Sequence, residues 1–70
     1  MKTLRKTFGD RIKQLRRDAK ISQEDFATEC GFARSYMSRI ERGASNVSLD
    51  AIERIASGLQ VPVEELFKGL

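Results

Sequence analysis

The 70-residue sequence contains no histidine or tryptophan, a single cysteine and a single proline. Without histidine, general acid–base catalysis lacks the side chain that performs it most often. Zinc sites are built mainly from cysteine and histidine, so we expect no metal site, and we expect no other cofactor. The one cysteine, Cys30, also cannot form a disulfide within the chain. These absences favour a binding protein over an enzyme.

Long apolar runs are missing as well. No stretch of 18 apolar residues is present, so we expect no membrane span. The basic N-terminus is not followed by an apolar segment, so we expect no secretory signal. Hydrophobic residues make up 40% of the chain and charged residues 33%, which is typical of a compact soluble domain. We therefore expect one cytoplasmic domain covering residues 1–70.

The net charge of +3 is unevenly distributed along the chain. Residues 1–20 contain eight Lys or Arg and two Asp, a local charge of +6, whereas residues 21–47 sum to −1 and residues 48–70 to −2. This polarisation is expected if one side of the protein faces a polyanion. The alternative is that the first segment forms a solvated basic helix.

Apolar residues recur at helical spacing through the whole chain, and no segment alternates with period two for long enough to predict a strand. Ser22 and Ser48 are predicted N-caps, whereas Gly31 and Gly43 are predicted to end the second and third helices. The sequence thus predicts an all-α fold of five helices, at about 4–19, 23–30, 34–42, 49–59 and from Pro62 onwards.

The second and third predicted helices flank a glycine-containing turn, which is typical of a helix-turn-helix. At roughly 100° per residue, one arc of the third helix holds only Arg34, Ser35, Ser38, Arg39 and Arg42, and the opposite arc is apolar. Arginine can bind guanine bidentately and serine can donate to phosphates or base edges, so this arc suits a DNA major groove. The alternative is an ordinary solvated face, although such a face usually mixes glutamate with arginine.

Residues 21–43, ISQEDFATECGFARSYMSRIERG, resemble the helix-turn-helix of the lambda-repressor/Cro-like (XRE-type) family. The resemblance starts at Phe8-Gly9, continues through Asn46-Val47-Ser48-Leu49 and ends with the segment VPVEELF at 61–67, so it covers essentially the whole chain. Within the family, the runs Arg34-Ser35-Tyr36 and Glu41-Arg42-Gly43 are most similar to the controller proteins of restriction–modification systems. The resemblance implies a compact five-helix domain with the helix-turn-helix at about 22–42, supported by helices four and five at about 49–68.

The resemblance also implies a function. The implied protein is a sequence-specific, non-enzymatic transcription regulator that binds a palindromic operator in double-stranded DNA as a homodimer. Such a protein is bacterial or phage-encoded, acts at the nucleoid and is expected to need no small-molecule ligand. The alternatives are an antitoxin or adaptor whose main partner is a protein, a phage- or plasmid-type repressor, and a nonspecific nucleic-acid binder.

The residue roles that the resemblance implies fall into three groups. Arg34, Ser35 and Arg39 match base-contacting positions. Arg16 and Glu41 match a structural salt bridge between the first and third helices. The positions that match contacts to the DNA backbone are Gln23, Tyr36, Ser38, Arg42, Ser45 and Asn46. Tyr36 has an equally open alternative as a packed aromatic residue.

One residue departs from the family pattern. The position before the recognition helix is usually a hydroxyl or acidic N-cap, and here it is Ala33, a poor cap that costs about 1 kcal/mol relative to serine. Either Ser35 caps a slightly shorter helix, or DNA orders the first turn.

Two further surfaces are predicted from the sequence. The apolar residues Val61, Val63, Leu66 and Phe67 exceed what a small monomer needs to bury, so we expect a dimer interface there, with a plain core as the alternative. The resemblance suggests that the acidic residues Glu24, Asp25 and Glu29 contact RNA polymerase, with simple solvation as the alternative.

Overall fold

The computed structural model describes residues 2–70 and contains four α-helices followed by one 3₁₀ helix. The α-helices are Leu4–Asp18 (α1), Gln23–Cys30 (α2), Arg34–Glu41 (α3) and Leu49–Leu59 (α4), and the 3₁₀ helix is Val63–Phe67. No strand is present among these residues, so the all-α prediction is confirmed. None of the helices between residues 2 and 70 is long and apolar enough to cross a membrane.

The prediction of a fifth α-helix is wrong, because the segment after Pro62 forms a 3₁₀ turn. The backbone N–H of Glu65 donates to the carbonyl of Pro62 at 3.0 Å, which is the spacing of a 3₁₀ helix. The Glu65 carbonyl accepts from Arg11 Nε at 3.0 Å instead of from a later backbone N–H. A tertiary contact from α1 therefore holds the backbone of the 3₁₀ segment against that helix.

The helix caps follow the sequence pattern at two of the three internal helix starts. Ser22 Oγ accepts from the Asp25 N–H and Ser48 Oγ accepts from the Ala51 N–H, both at 3.1 Å. Ala33 precedes α3 and provides no side-chain hydrogen bond. Because α3 nevertheless begins at Arg34, the alternative in which Ser35 caps a shorter helix is wrong.

The core takes one or more side chains from every helix. The largest fully buried residues are Ile12, Phe26, Met37, Ile40, Ile55 and Leu66. Leu66 is 0% exposed, so its predicted place in a dimer interface is wrong. Its side chain belongs to the core because the 3₁₀ segment packs against both α1 and α4.

Two glycines allow helices to approach each other closely. A Cβ atom on Gly9 would lie 2.3 Å from the carbonyl oxygen of Ile40 and 2.9 Å from that of Glu41. A Cβ atom on Gly58 would lie 2.8 Å from Cys30 Sγ. Gly9 therefore sets the distance between α1 and the end of α3, because backbone atoms cannot move aside as a flexible side chain can.

We expect Gly9→Ala to lower the free energy of unfolding by about 1–3 kcal/mol, because the added methyl group forces α1 and α3 apart. Urea unfolding followed by circular dichroism measures this change. The matched control is Arg17→Ala, an exposed position on α1, which we expect to change stability by less than about 0.5 kcal/mol. Equal stability of Gly9→Ala and the wild type would contradict the tight α1–α3 contact.

Candidate nucleic-acid interface

The outward face of α3 carries the residues that the sequence arc singled out. Arg34, Ser35 and Arg39 are exposed and Ser38 is half-buried, whereas Met37, Ile40 and Glu41 face the core. The structure thus brings the three proposed base-contacting residues together on one helix. Every outward residue there is cationic or carries a hydroxyl, which matches the acceptors on DNA bases and phosphates.

A buried ion pair joins α3 to α1. Arg16 Nε donates to Glu41 Oε2 at 2.7 Å and Arg16 Nη2 donates to Glu41 Oε1 at 3.1 Å, so the contact is bidentate. Arg16 is 8% exposed and Glu41 is 3% exposed. Arg16 Nη1 also donates to the carbonyl of Ile21 at 2.8 Å. The pair that the family resemblance implies is therefore present, with both charges removed from solvent and each guanidinium nitrogen of Arg16 donating one hydrogen bond.

Gln23 extends this ion pair towards the outer face of α3. Its Nε2 donates to Glu41 Oε1 at 3.2 Å, and its Oε1 accepts from Arg34 Nε at 3.4 Å. A carboxylate can only accept hydrogen bonds, so Glu41 fixes which end of the Gln23 amide points inward. The amide carbonyl is then the end that meets Arg34, and the second N–H of Nε2 is left for another acceptor.

Glu24 also contacts the candidate site. From the sequence, this residue is predicted to lie on a different surface, the one that contacts RNA polymerase. Its Oε2 lies 3.7 Å from Arg34 Nη1, and both side chains are largely exposed. The position of Glu24 on α2 does not predict this pair from the sequence, because Glu24 and Arg34 come together only through the α2–α3 turn.

The remaining predicted backbone contacts lie after α3. Arg42 and Asn46 are exposed, and Ser45 is half-buried beside Leu4 and Val47. Gly43, with φ of +74°, places the loop directly against the backbone of Lys6, because a Cβ there would lie 2.7 Å from the Lys6 Cα. The loop is therefore anchored to α1.

A second surface is apolar. Leu4, Leu49, Val63 and Phe67 are large apolar side chains that are exposed by 65%, 83%, 44% and 37%. A groove beside them is lined mainly by Leu4, Phe8, Val47, Ile52 and Phe67. Val61 is half-buried and packs on the core. Leu4 of α1, Ile52 of α4 and Phe67 of the 3₁₀ segment thus meet at one apolar groove.

Cys30 has the environment of a small core residue. Its side chain is buried, and burial together with the nearby Glu29 raises the pKa of the thiol to about 11. The thiol is therefore neutral at physiological pH, whereas redox reactions of cysteine require the thiolate. No group of side chains suited to hold a metal ion occurs among residues 2–70.

Comparison with known proteins assigns the chain to a family. A family described as "Helix-turn-helix domain" matches residues 7–67. Control protein C.MunI of Mycoplasma sp is 39% identical over 71 residues, covering 100% of this chain and 96% of that protein. The chain belongs to the XRE-type helix-turn-helix family of DNA-binding transcription regulators.

Solved structures agree with this assignment. The restriction–modification controller protein C.AhdI from Aeromonas hydrophila matches with a TM-score of 0.84 and 43% identity, covering 86% of this chain and 91% of that one. The biofilm master regulator SinR, solved in complex with DNA, matches with a TM-score of 0.81 and 37% identity, covering 87% of this chain and 98% of that one. These relatives are transcription regulators, which confirms that the regulator described here is not an enzyme.

We expect Glu41→Gln to lower the free energy of unfolding by about 3–5 kcal/mol, because it leaves the Arg16 charge buried and unpaired. The double variant Arg16→Met/Glu41→Leu should regain most of that loss, since it removes both buried charges. Urea unfolding measures both. Lys2→Ala, which breaks an exposed pair with Asp10, is the control and should cost less than about 1 kcal/mol. Equal losses for Glu41→Gln and Lys2→Ala would contradict a structural role for the buried pair.

Proposed function

We propose that the regulator is a restriction–modification controller that binds a palindromic operator as a homodimer. Each protomer places α3 in the major groove of one half-site, and the half-site centres lie about one helical turn, roughly 34 Å, apart. The observation that carries this proposal is the outward face of α3, where arginine and serine are exposed without an acidic residue among them. The similarity to C.MunI and C.AhdI supports the controller assignment.

The base contacts in this proposal come from α3 itself. Arg34 and Arg39 are exposed and long enough to donate to guanine O6 and N7, and Ser35 lies between them on the exposed side of the helix. Arg34 is already oriented by a hydrogen bond to Gln23, which occupies one of its five N–H donors, and by an ion pair with Glu24 at 3.7 Å. The remaining donors are sufficient for a bidentate contact with one base.

The backbone contacts surround the helix on both sides. Gln23 is the first residue of α2, where the free backbone N–H groups of a helix favour a phosphate, and its second amide N–H adds a donor. After α3, Arg42, Ser45 and Asn46 follow on a loop anchored to α1, and Ser38 and the Tyr36 hydroxyl complete the set. Such contacts give affinity that falls steeply as the salt concentration rises.

The homodimer in this proposal forms through the apolar surface. Val63 and Phe67 lie on the exposed side of the 3₁₀ segment, Leu66 faces the core beneath them, and Val61 is half-buried beside them. Phe67 also packs on Phe8, with ring centroids 5.1 Å apart, so the exposed face of its ring is held in place. An ordered apolar surface of this kind is typical of a protein interface.

A contact with RNA polymerase is the remaining part of the proposal. Glu24, Asp25 and Glu29 are exposed on α2 and face solvent beside the proposed DNA-binding surface. Their charge suits a basic partner bound to adjacent DNA. The regulator would perform these functions in the cytoplasm, at the bacterial or phage DNA.

We expect Arg39→Ala to weaken operator binding by about 1–3 kcal/mol and to relax specificity at one base pair of each half-site. Gln23→Ala should weaken binding to all sequences alike, because a phosphate contact carries no base information. Fluorescence anisotropy on the operator, its single-base variants and random duplex measures both effects. Unchanged operator preference in Arg39→Ala would contradict the base contact. Equal binding of the wild type to operator and random duplex would instead identify a nonspecific binder.

We expect Val63→Asp to convert the dimer into a monomer, because it places a charge in the apolar interface. The same substitution should not disturb folding, since an acidic residue is favourable at the start of a helical segment. Sedimentation velocity measures the change in mass, and Ser57→Asp, an exposed position on α4, is the charge-matched control. A dimer that persists in Val63→Asp would place the interface elsewhere, and a wild type that is monomeric at all concentrations would exclude the homodimer.

A further inference from the structure

We propose that the aromatic ring of Tyr36 positions the guanidinium group of Arg39 and thereby sets how strongly the regulator discriminates at the base pair that Arg39 contacts. This inference rests on the proposed function, because it assumes that Arg39 contacts a base. It assigns Tyr36 a role through its ring, in addition to the phosphate contact proposed for its hydroxyl.

The ring is held in place by the rest of the protein. Tyr36 is half-buried, and its ring meets that of Phe32 with centroids 4.9 Å apart and an interplanar angle of 81°. Such an edge-to-face arrangement is a favoured geometry for aromatic pairs. Both rings also pack on the hydrophobic core. Tyr36 therefore offers a fixed surface next to the exposed face of α3.

Arg39 contacts that surface. Its Cζ lies 5.6 Å from the centroid of the Tyr36 ring, within the range of a cation–π interaction. Tyr36 and Arg39 are three residues apart on α3, so they are neighbours on the helix surface. Among residues 2–70, the Arg39 side chain takes part in no hydrogen bond and no ion pair, whereas its guanidinium group lies over the Tyr36 ring. The ring is thus the contact that limits where its guanidinium group lies.

The contact is compatible with base recognition. Arginine can stack on an aromatic ring through the face of its guanidinium group, whereas hydrogen bonds to guanine use N–H donors in the guanidinium plane. Arg39 can therefore keep the ring contact while it binds a base. A long arginine side chain loses rotational freedom on binding, and the ring restricts that freedom beforehand. The two proposed base-contacting arginines are then oriented by different means, Arg34 by a hydrogen bond and an ion pair and Arg39 by an aromatic ring.

The strength of an exposed cation–π contact sets the upper limit of the effect, because the ring can restrict Arg39 beforehand by no more than it attracts it. Such a contact corresponds to about a two- to fivefold change in affinity. We expect Tyr36→Leu to weaken operator binding by about this factor and to reduce discrimination at the Arg39 base pair. Tyr36→Phe retains the ring, so it should keep that discrimination, and any loss from the missing hydroxyl should be the same for all sequences.

The test compares the wild type, Tyr36→Phe, Tyr36→Leu, Arg39→Ala and the double variant Tyr36→Leu/Arg39→Ala by fluorescence anisotropy on the operator and its single-base variants. Arg39→Ala identifies the base pair, and the double variant should show no further loss of discrimination there. Nuclear Overhauser contacts between the Tyr36 ring and the Arg39 side chain, measured in the DNA-free protein, should be present in the wild type and in Tyr36→Phe. This measurement keeps the test decisive even if Tyr36→Leu fails to fold.

Two binding results would overturn the inference. One is undiminished discrimination in folded Tyr36→Leu, and the other is a loss in Tyr36→Phe as large as that in Tyr36→Leu, which would assign the effect to the hydroxyl. Absence of the ring contacts in the wild type would also overturn it. Failure of the proposed function is distinguishable from failure of this inference. In that case the wild type binds all duplexes equally, while the ring contacts persist.

Discussion

The buried ion pair between Arg16 and Glu41 is the interaction on which the geometry of the proposed DNA-binding surface depends. Burying two charges costs solvation energy that their attraction offsets only when the contact is well aligned and the remaining hydrogen bonds are made. Here the pair is bidentate, and Arg16 also binds the Ile21 carbonyl just before α2. One guanidinium group thus connects α1, the entry to α2 and the end of α3. Gly9 lets α1 come close enough to α3 for this contact.

A chain of hydrogen bonds runs from the ion pair to the outer face of α3. Glu41 fixes the direction of the Gln23 amide, and the amide carbonyl then meets Arg34 Nε. Arg34, the first residue of α3, is thus restrained from α2, although Ala33 provides no capping side chain. At the other end, the exposed face is restrained by the ring of Tyr36, which packs on Phe32 and on the apolar core.

The parts of the fold that sequence can predict are those decided by neighbours along the chain. The serine caps, the Gly31 turn and the division of α3 into an apolar side and an arginine side all depend on residues within a few positions of each other. The 3₁₀ segment, the burial of Leu66 and the role of Gly9 depend on contacts between distant elements, such as Arg11 with the Glu65 carbonyl. Spacing along the sequence carries no information about those contacts. In the candidate site, the outward face of α3 was predictable for the same local reason, whereas the pairs Glu24–Arg34 and Tyr36–Arg39 required the folded arrangement or the rotamers.

The ion pair also explains why two buried charges are useful in so small a domain. Apolar residues of similar volume can hold helices together as well as a buried ion pair does, so stability alone gives no reason for the charges. An apolar residue in place of Glu41, however, could not accept a hydrogen bond from Gln23, and the amide would lose its fixed direction. Stability and the orientation of the surface are then separate consequences of one contact. The orientation, rather than the stability, is what a hydrophobic substitute cannot reproduce.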